Sequence, residues 1–147
     1  MVIQGVNHVS LVVGDMDRAV EFYSEIMGMK VLDISTRDQQ FSEKATGIEG
    51  VSLKIAYLCV ADLTLELVEY FHDTKLFQRK SDDETFGHLC LNITGLNDFY
   101  EKNRSNVKFV GSPRKIPGGP NKDGYMIYFH DPDGNKIELI NPPGKRA

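Results

Sequence analysis

The sequence predicts an α+β protein built from two tandem modules, each a strand, a helix and three further strands (βαβββ). Three observations predict this. Asn7-His8-Val9-Ser10-Leu11-Val12-Val13 returns 80 positions later as Gly87-His88-Leu89-Cys90-Leu91-Asn92-Ile93. A helix signal follows each copy. Each module then closes on a strand of one pattern, Leu65-Glu66-Leu67-Val68 and Ile137-Glu138-Leu139-Ile140, 72 positions apart, and loop lengths absorb the difference in offset.

Residues 8–13 alternate, with Val9, Leu11 and Val13 on one face and His8, Ser10 and Val12 on the other, which is the period of a half-polar strand. Asp15 or Asp17 can cap the next helix by accepting from its free N–H groups. Ala19, Val20, Phe22, Tyr23, Ile26 and Met27 give that helix one broad apolar stripe, and Gly28 ends it. Residues 29–35 read as a strand and residues 36–50, polar and glycine-containing, as a long loop. Strands 51–59 and 63–70 follow, joined by a tight turn near Ala61-Asp62.

Residues 72–85 form a charged connector, to which His72 belongs. The module then repeats, with a strand at 87–93, a helix at about 96–104 and a short strand at 107–110. A glycine- and proline-rich loop covers 111–124, and the strand 125–129 comes next. Asp131-Pro132-Asp133-Gly134-Asn135 has hairpin chemistry, since Gly and Asn accept the φ values of a tight return, and the strand 136–140 completes the pair. With Val9/Leu11/Val13 and Leu89/Leu91/Ile93 under helices, His8, Ser10, His88, Cys90 and Asn92 face the other way. Curved sheets with helices outside and polar residues lining a concave face satisfy this pattern.

The chain has 147 residues, 41% apolar and 26% charged, which suits one compact domain over 1–147 with modules at about 5–71 and 86–142. Its longest apolar runs are too short for a bilayer. Met1-Val2-Ile3-Gln4 has neither a basic start nor a signal-peptide stretch, so a cytoplasmic location is expected. A net charge of −4 disfavours nucleic acid. Cys59 and Cys90 are expected to be small buried hydrophobes, and two cysteines exclude a disulfide scaffold.

A duplication that repeats its polar residues with its apolar ones suggests that His8, Glu66, His88 and Glu138 meet. Two imidazoles and two carboxylates at one point are ligands for a divalent metal, and Ni, Co, Mn, Zn or Fe would suit them. Taken alone, each is an ordinary hydrogen-bonded histidine or edge carboxylate; their repeat-equivalent placement favours the metal. Such a site polarises a carbonyl, and proton abstraction beside it needs a base, a role open to Glu138 or Glu66. Tyr57, Tyr70, Tyr125, Tyr128 and Phe129 are expected in the core or wall, and His130 on the surface beside the turn. Arg37, Lys44, Arg114, Lys115 and Lys122 on the long loops could attract an anionic substrate, and a solvated surface accounts for them equally well.

The chain resembles the vicinal oxygen chelate superfamily of glyoxalase I, methylmalonyl-CoA epimerase, extradiol dioxygenases and bleomycin-resistance proteins. Asn7-His8, Val13-Gly14-Asp15 through Glu21-Phe22-Tyr23, Gly87-His88 and the segment from Asp131 to Leu139 carry the resemblance over essentially the whole length. It implies paired βαβββ modules around a metal-containing cleft and a homodimer. It also implies a small-molecule substrate with vicinal oxygens and a metal set on His8, Glu66, His88 and Glu138. The dioxygenase branch would use His8, His88 and Glu138 alone, so Glu66 points to the isomerase, epimerase and lyase branches. A metal-free binding protein would need none of the four. Bacterial glyoxalase I carries an arginine and an asparagine for glutathione where this chain has Val12 and Tyr70, so the resemblance does not carry glutathione over.

Overall fold

The structure is a computed structural model that describes residues 5–72 and 87–144. The chain divides into two compact units, residues 1–78 and 79–147, each holding one module. The first contains β1 (Val9–Val13), α1 (Met16–Glu21), β2 (Lys30–Arg37), α2 (Gln39–Thr46), β3 (Ser52–Val60) and β4 (Leu63–Phe71). The second contains β5 (Leu89–Asn92), α3 (Leu96–Asn103), β6 (Lys108–Lys115), β7 (Tyr125–His130) and β8 (Lys136–Asn141). Among the described residues no helix is long and apolar enough to cross a membrane.

Each unit forms one four-stranded mixed sheet with the same topology, in the orders β1-β4-β3-β2 and β5-β8-β7-β6. The first strand of each module runs parallel to the last, and the other pairs are antiparallel. The parallel pairing follows from the helix crossover, which returns the chain in the same direction. Two tandem βαβββ modules are therefore present as predicted.

Strand alternation divides each sheet into two faces. Val13, Ala56, Leu58, Leu65 and Leu67 are buried with Met16, Ala19, Phe22 and Tyr23 of the helical segment. In the second unit Leu96, Ile127, Phe129, Ile137 and Leu139 form the corresponding core. Each fully buried side chain of this size contributes roughly 1.5–3 kcal/mol over an exposed one. The opposite parity carries His8, Tyr57 and Glu66 in one sheet and His88, Tyr128 and Glu138 in the other.

Asp15 caps α1 by accepting from the Arg18 N–H at 3.0 Å, and a π-helical turn, Phe22–Ile26, continues the helix to Gly28 at φ +69°. Several expectations need correction. Residues 36–50 are not a plain loop but carry the end of β2 and the helix α2. Its Asp38 cap accepts from the Phe41 N–H at 2.8 Å, and Gly47 ends it at φ +72°. The segment is held by Glu43, which accepts from Gly50 N–H at 2.6 Å, and by the His72 ring, which donates to the Glu49 carbonyl at 2.7 Å. His72 thus pins an insertion rather than merely joining modules; connector residues 73–86 lie outside the described residues.

The strand read at 107–110 continues to Lys115, because a bulge between Val110 and Arg114 carries the ladder past Gly111 at φ +83°. Arg114 and Lys115 therefore stand on a strand, and the loop proper is 116–124. Finally, Cys90 is exposed and Cys59 half-buried. Apolar flanks suggested burial, but alternation puts both on the face that the crossover helix does not cover. His130 likewise is not a surface residue: it is half-buried, with both ring nitrogens enclosed and without a hydrogen-bond partner.

Candidate metal centre

Within the first unit, the parallel register of β1 on β4 sets Ser10 across from Glu66 and brings His8 beside it. His8 Nε2 lies 3.4 Å from Glu66 Oε2. The opposite ring nitrogen, Nδ1, is 2.8 Å from Asn7 Oδ1. An amide oxygen only accepts, so this contact places the proton on Nδ1 and leaves Nε2 with its lone pair. Nε2 and Oε2 are then two acceptors facing each other, an arrangement completed by a proton or a metal ion between them. That is the tautomer and orientation a metal-ligating imidazole requires.

The second unit repeats the pair. β5 on β8 sets Cys90 across from Glu138, and His88 Nε2 lies 2.8 Å from Glu138 Oε2. Both glutamates are largely enclosed, at 12% side-chain exposure, while the histidines keep about a third of theirs. Each pair is thus shielded on the carboxylate side and open on the imidazole side. Among the described residues no three His, Cys, Asp or Glu side chains gather as a metal cluster; of the four residues expected to meet, two lie in each unit.

Sequence reasoning missed three neighbours of these pairs. The Tyr57 hydroxyl donates to Glu66 Oε1 at 2.6 Å, and its ring meets the His8 ring edge-on at 5.8 Å. The Glu66 hydrogen bond, then burial, raises the Tyr57 pKa above the ordinary phenol range. Tyr128 stands in the same place across from Glu138, with its ring 5.2 Å from that of His88. Burial, the Glu138 charge and the hydrogen bond to it raise its pKa as well. Cys90 stands across from Glu138, and although the residue as a whole is exposed, partial desolvation of the thiol first, then that carboxylate, pushes its pKa to about 11. A signal existed: the two tyrosines stand nine and ten residues before the two glutamates.

A cavity of about 390 Å³ opens in the second unit, with Glu138 in its lining. Ile116, Pro117, Met126 and Ile140 give it apolar walls, and Arg114 and Lys115 border it. Lys115 is tied to Asp123 at 2.9 Å, whereas Arg114 has no carboxylate partner among the described residues. In the first unit the face beyond Glu66 is apolar: Val51, Leu53, Ile55 and Val68 form a buried cluster against which Ile48, Tyr57 and Tyr70 pack.

A family model described as the Glyoxalase/Bleomycin resistance protein/Dioxygenase superfamily matches residues 5–139. The chain is 30% identical over 145 residues to a 2-epi-5-epi-valiolone epimerase from Actinomyces sp., covering 94% of this chain and 79% of that protein. It is also 30% identical over 142 residues to a probable lactoylglutathione lyase from Synechocystis sp., covering 95% and 96%. Among solved structures it is similar to a fosfomycin resistance protein from Listeria monocytogenes complexed with Mn(II) and sulfate. That match has a TM-score of 0.64 at 20% identity and covers 97% of this chain and 96% of the other. On the extent of the family match and the two 30% identical relatives, the chain belongs to the glyoxalase/bleomycin resistance protein/dioxygenase superfamily.

Proposed function

We propose that this protein is a metal-dependent enzyme of the isomerase, epimerase or lyase type. In this reading His8, Glu66, His88 and Glu138 hold one divalent ion, drawn from Ni, Co, Mn, Zn or Fe. One observation carries the proposal: a histidine and a glutamate are paired on the same face of the same two strands in both units. Mixed imidazole and carboxylate donors suit this group of metals, and the acceptor-to-acceptor contact of His8 with Glu66 fits a cation between them. The Mn(II) in the fosfomycin resistance protein supports the reading by family precedent.

When bound, such an ion supplies Lewis acidity toward a substrate carbonyl. The chain's own residues supply the rest. Glu66 or Glu138, once loosened from the ion, takes the proton from the carbon beside that carbonyl through the oxygen that faces the imidazole, and burial of these carboxylates shields the transfer from water. The apolar cavity beside Glu138 receives the substrate skeleton, and Arg114 on its border pairs with an anionic group of the substrate.

Epimerase-like chemistry fits this chain better than glutathione-dependent lyase chemistry. Val12 lies opposite Val68, and Tyr70 packs on the apolar cluster, where a charged tripeptide would need polar partners. Four donors rather than three also separate this reading from an extradiol dioxygenase, which has no need of Glu66. We place the enzyme in the cytoplasm as a homodimer.

Metal analysis and substrate-proton exchange in heavy water test the proposal together. Wild-type protein should hold one ion per site and exchange the proton of a carbonyl substrate. Glu66→Ala should lose both properties. Equal activity and metal content in that variant would overturn the four-donor site, and oxygen uptake with catechols would move the reading to a dioxygenase.

A further inference from the structure

The two site tyrosines lie directly across the sheet from the two site glutamates, Tyr57 opposite Glu66 on β3–β4 and Tyr128 opposite Glu138 on β7–β8. The repetition therefore includes a third polar residue beyond the histidine and glutamate. In the first unit the two oxygens of the carboxylate have separate partners: Oε1 takes the Tyr57 O–H at 2.6 Å, while Oε2 faces His8 Nε2. An O–H to carboxylate bond of this length is at the strong end of the range. In the second unit Tyr128 stands across the sheet from Glu138, whose Oε2 faces His88 Nε2 at 2.8 Å.

The rings are fixed as well as the hydroxyls. Tyr57 packs on the buried Val51, Leu53, Ile55 and Val68 cluster and meets the His8 ring at 71°, and Tyr128 meets the His88 ring at 81°. In the first unit the phenol thus touches both members of the pair, through the hydroxyl to the glutamate and through the ring edge to the histidine, and the second unit repeats the ring contact. A carboxylate whose one oxygen takes a short O–H bond is held with the other turned to the ion. Left free, it could close on the ion with both oxygens and take a position that a chelating substrate needs.

We infer that Tyr57 and Tyr128 are positioning residues that hold Glu66 and Glu138 as one-oxygen metal ligands, keeping two coordination positions open for substrate oxygens. The inference rests on the metal reading above, and its test separates the two. Wild type, Tyr57→Phe and Tyr128→Phe are loaded with Co(II), and affinity is measured by chelator competition alongside the visible absorption of the bound ion. Loss of an outer hydrogen-bond partner of a ligand lowers metal affinity by about 10- to 100-fold. Each variant should therefore bind Co(II) at least about tenfold more weakly. Its absorption band should shift, as a second carboxylate oxygen enters the coordination sphere. The ring contacts remain in both variants, so a purely structural role would leave the spectrum of the bound ion unchanged.

Affinity and spectrum identical to wild type in both variants would overturn the inference while the metal reading stands. A wild-type protein that takes up no Co(II) would overturn both. Because the tyrosines lie in separate units, a folding failure in one variant still leaves the other to decide.

Discussion

Asn141 occupies in the second module the place that Glu69 occupies in the first: each stands three residues beyond its site glutamate and closes the start of the crossover helix. Glu69 Oε2 accepts the Met16 N–H at 3.0 Å, and Asn141 Oδ1 accepts the Gly95 N–H at 3.0 Å. The strand that carries Glu66 or Glu138 therefore also fixes the helix behind it. Glycine suits the α3 cap because its φ is +81°, and Asn141 from β8 holds it there through its N–H.

Glu69 carries a charge in this role where Asn141 does not. Burial, the largest influence on it, raises its pKa above the usual carboxylate value despite the Met16 N–H bond and nearby Lys54. A carboxyl whose folded pKa exceeds its unfolded one favours the folded state at low pH, and that contribution is lost as pH rises through the folded value. Glu69→Gln keeps an acceptor for Met16 and removes the charge. It should raise the melting temperature at neutral pH and flatten the stability profile across the carboxylate range. Glu69→Ala removes the acceptor and should cost about 1 kcal/mol in urea unfolding.

Gly124 closes the 116–124 loop against the C-terminal end of β8. A Cβ there would lie 2.6 Å from the Asn141 carbonyl oxygen, 3.0 Å from that of Asn121 and 3.2 Å from the Pro143 nitrogen, all backbone atoms. Backbone on three sides cannot move aside as a flexible side chain would. Gly124→Ala should therefore destabilise by about 1–3 kcal/mol, as overpacking does. Because the loop walls the cavity, substrate KM should rise as well. Urea titration and a saturation curve on the same preparation check both outcomes.

Among the described residues Arg114 has no carboxylate partner, whereas Lys115 is occupied by Asp123. A charge-assisted hydrogen bond contributes about 1.5–3 kcal/mol, so Arg114→Gln should raise KM for an anionic substrate by about tenfold or more with little change in kcat. An uncharged analogue should be unaffected, and Lys115→Gln should show the smaller effect of the two. Equal losses for charged and neutral substrates would exclude anion recognition at this position.

Much of this was legible in the sequence because a strand has a period of two and the chain states its pattern twice. The alternation around His8 and His88 located both histidines on the uncovered face, and the glutamate-centred strands located their partners. The helix α2 was not legible. Of its residues only Phe41 and Ala45 are apolar, so no stripe marks it, and Ser42 is the buried residue while Phe41 stays 55% exposed. Its caps, Asp38 and Gly47, make the helix where periodicity does not. Tyr57 and Tyr128 escaped for a different reason: an aromatic residue on a strand usually packs in the core, and sequence does not show where a hydroxyl is aimed.

The sequence alone determined the module order, the faces of the first and last strands, and the repeat-equivalent placement of two histidines and two glutamates. Only the tertiary structure decided that each glutamate has one oxygen beside an imidazole, and that a phenol from the neighbouring strand takes the other in the first unit. The physical reason is that side-chain direction follows local backbone period. The partner of a buried oxygen is set instead by register between strands, which no single stretch of sequence contains.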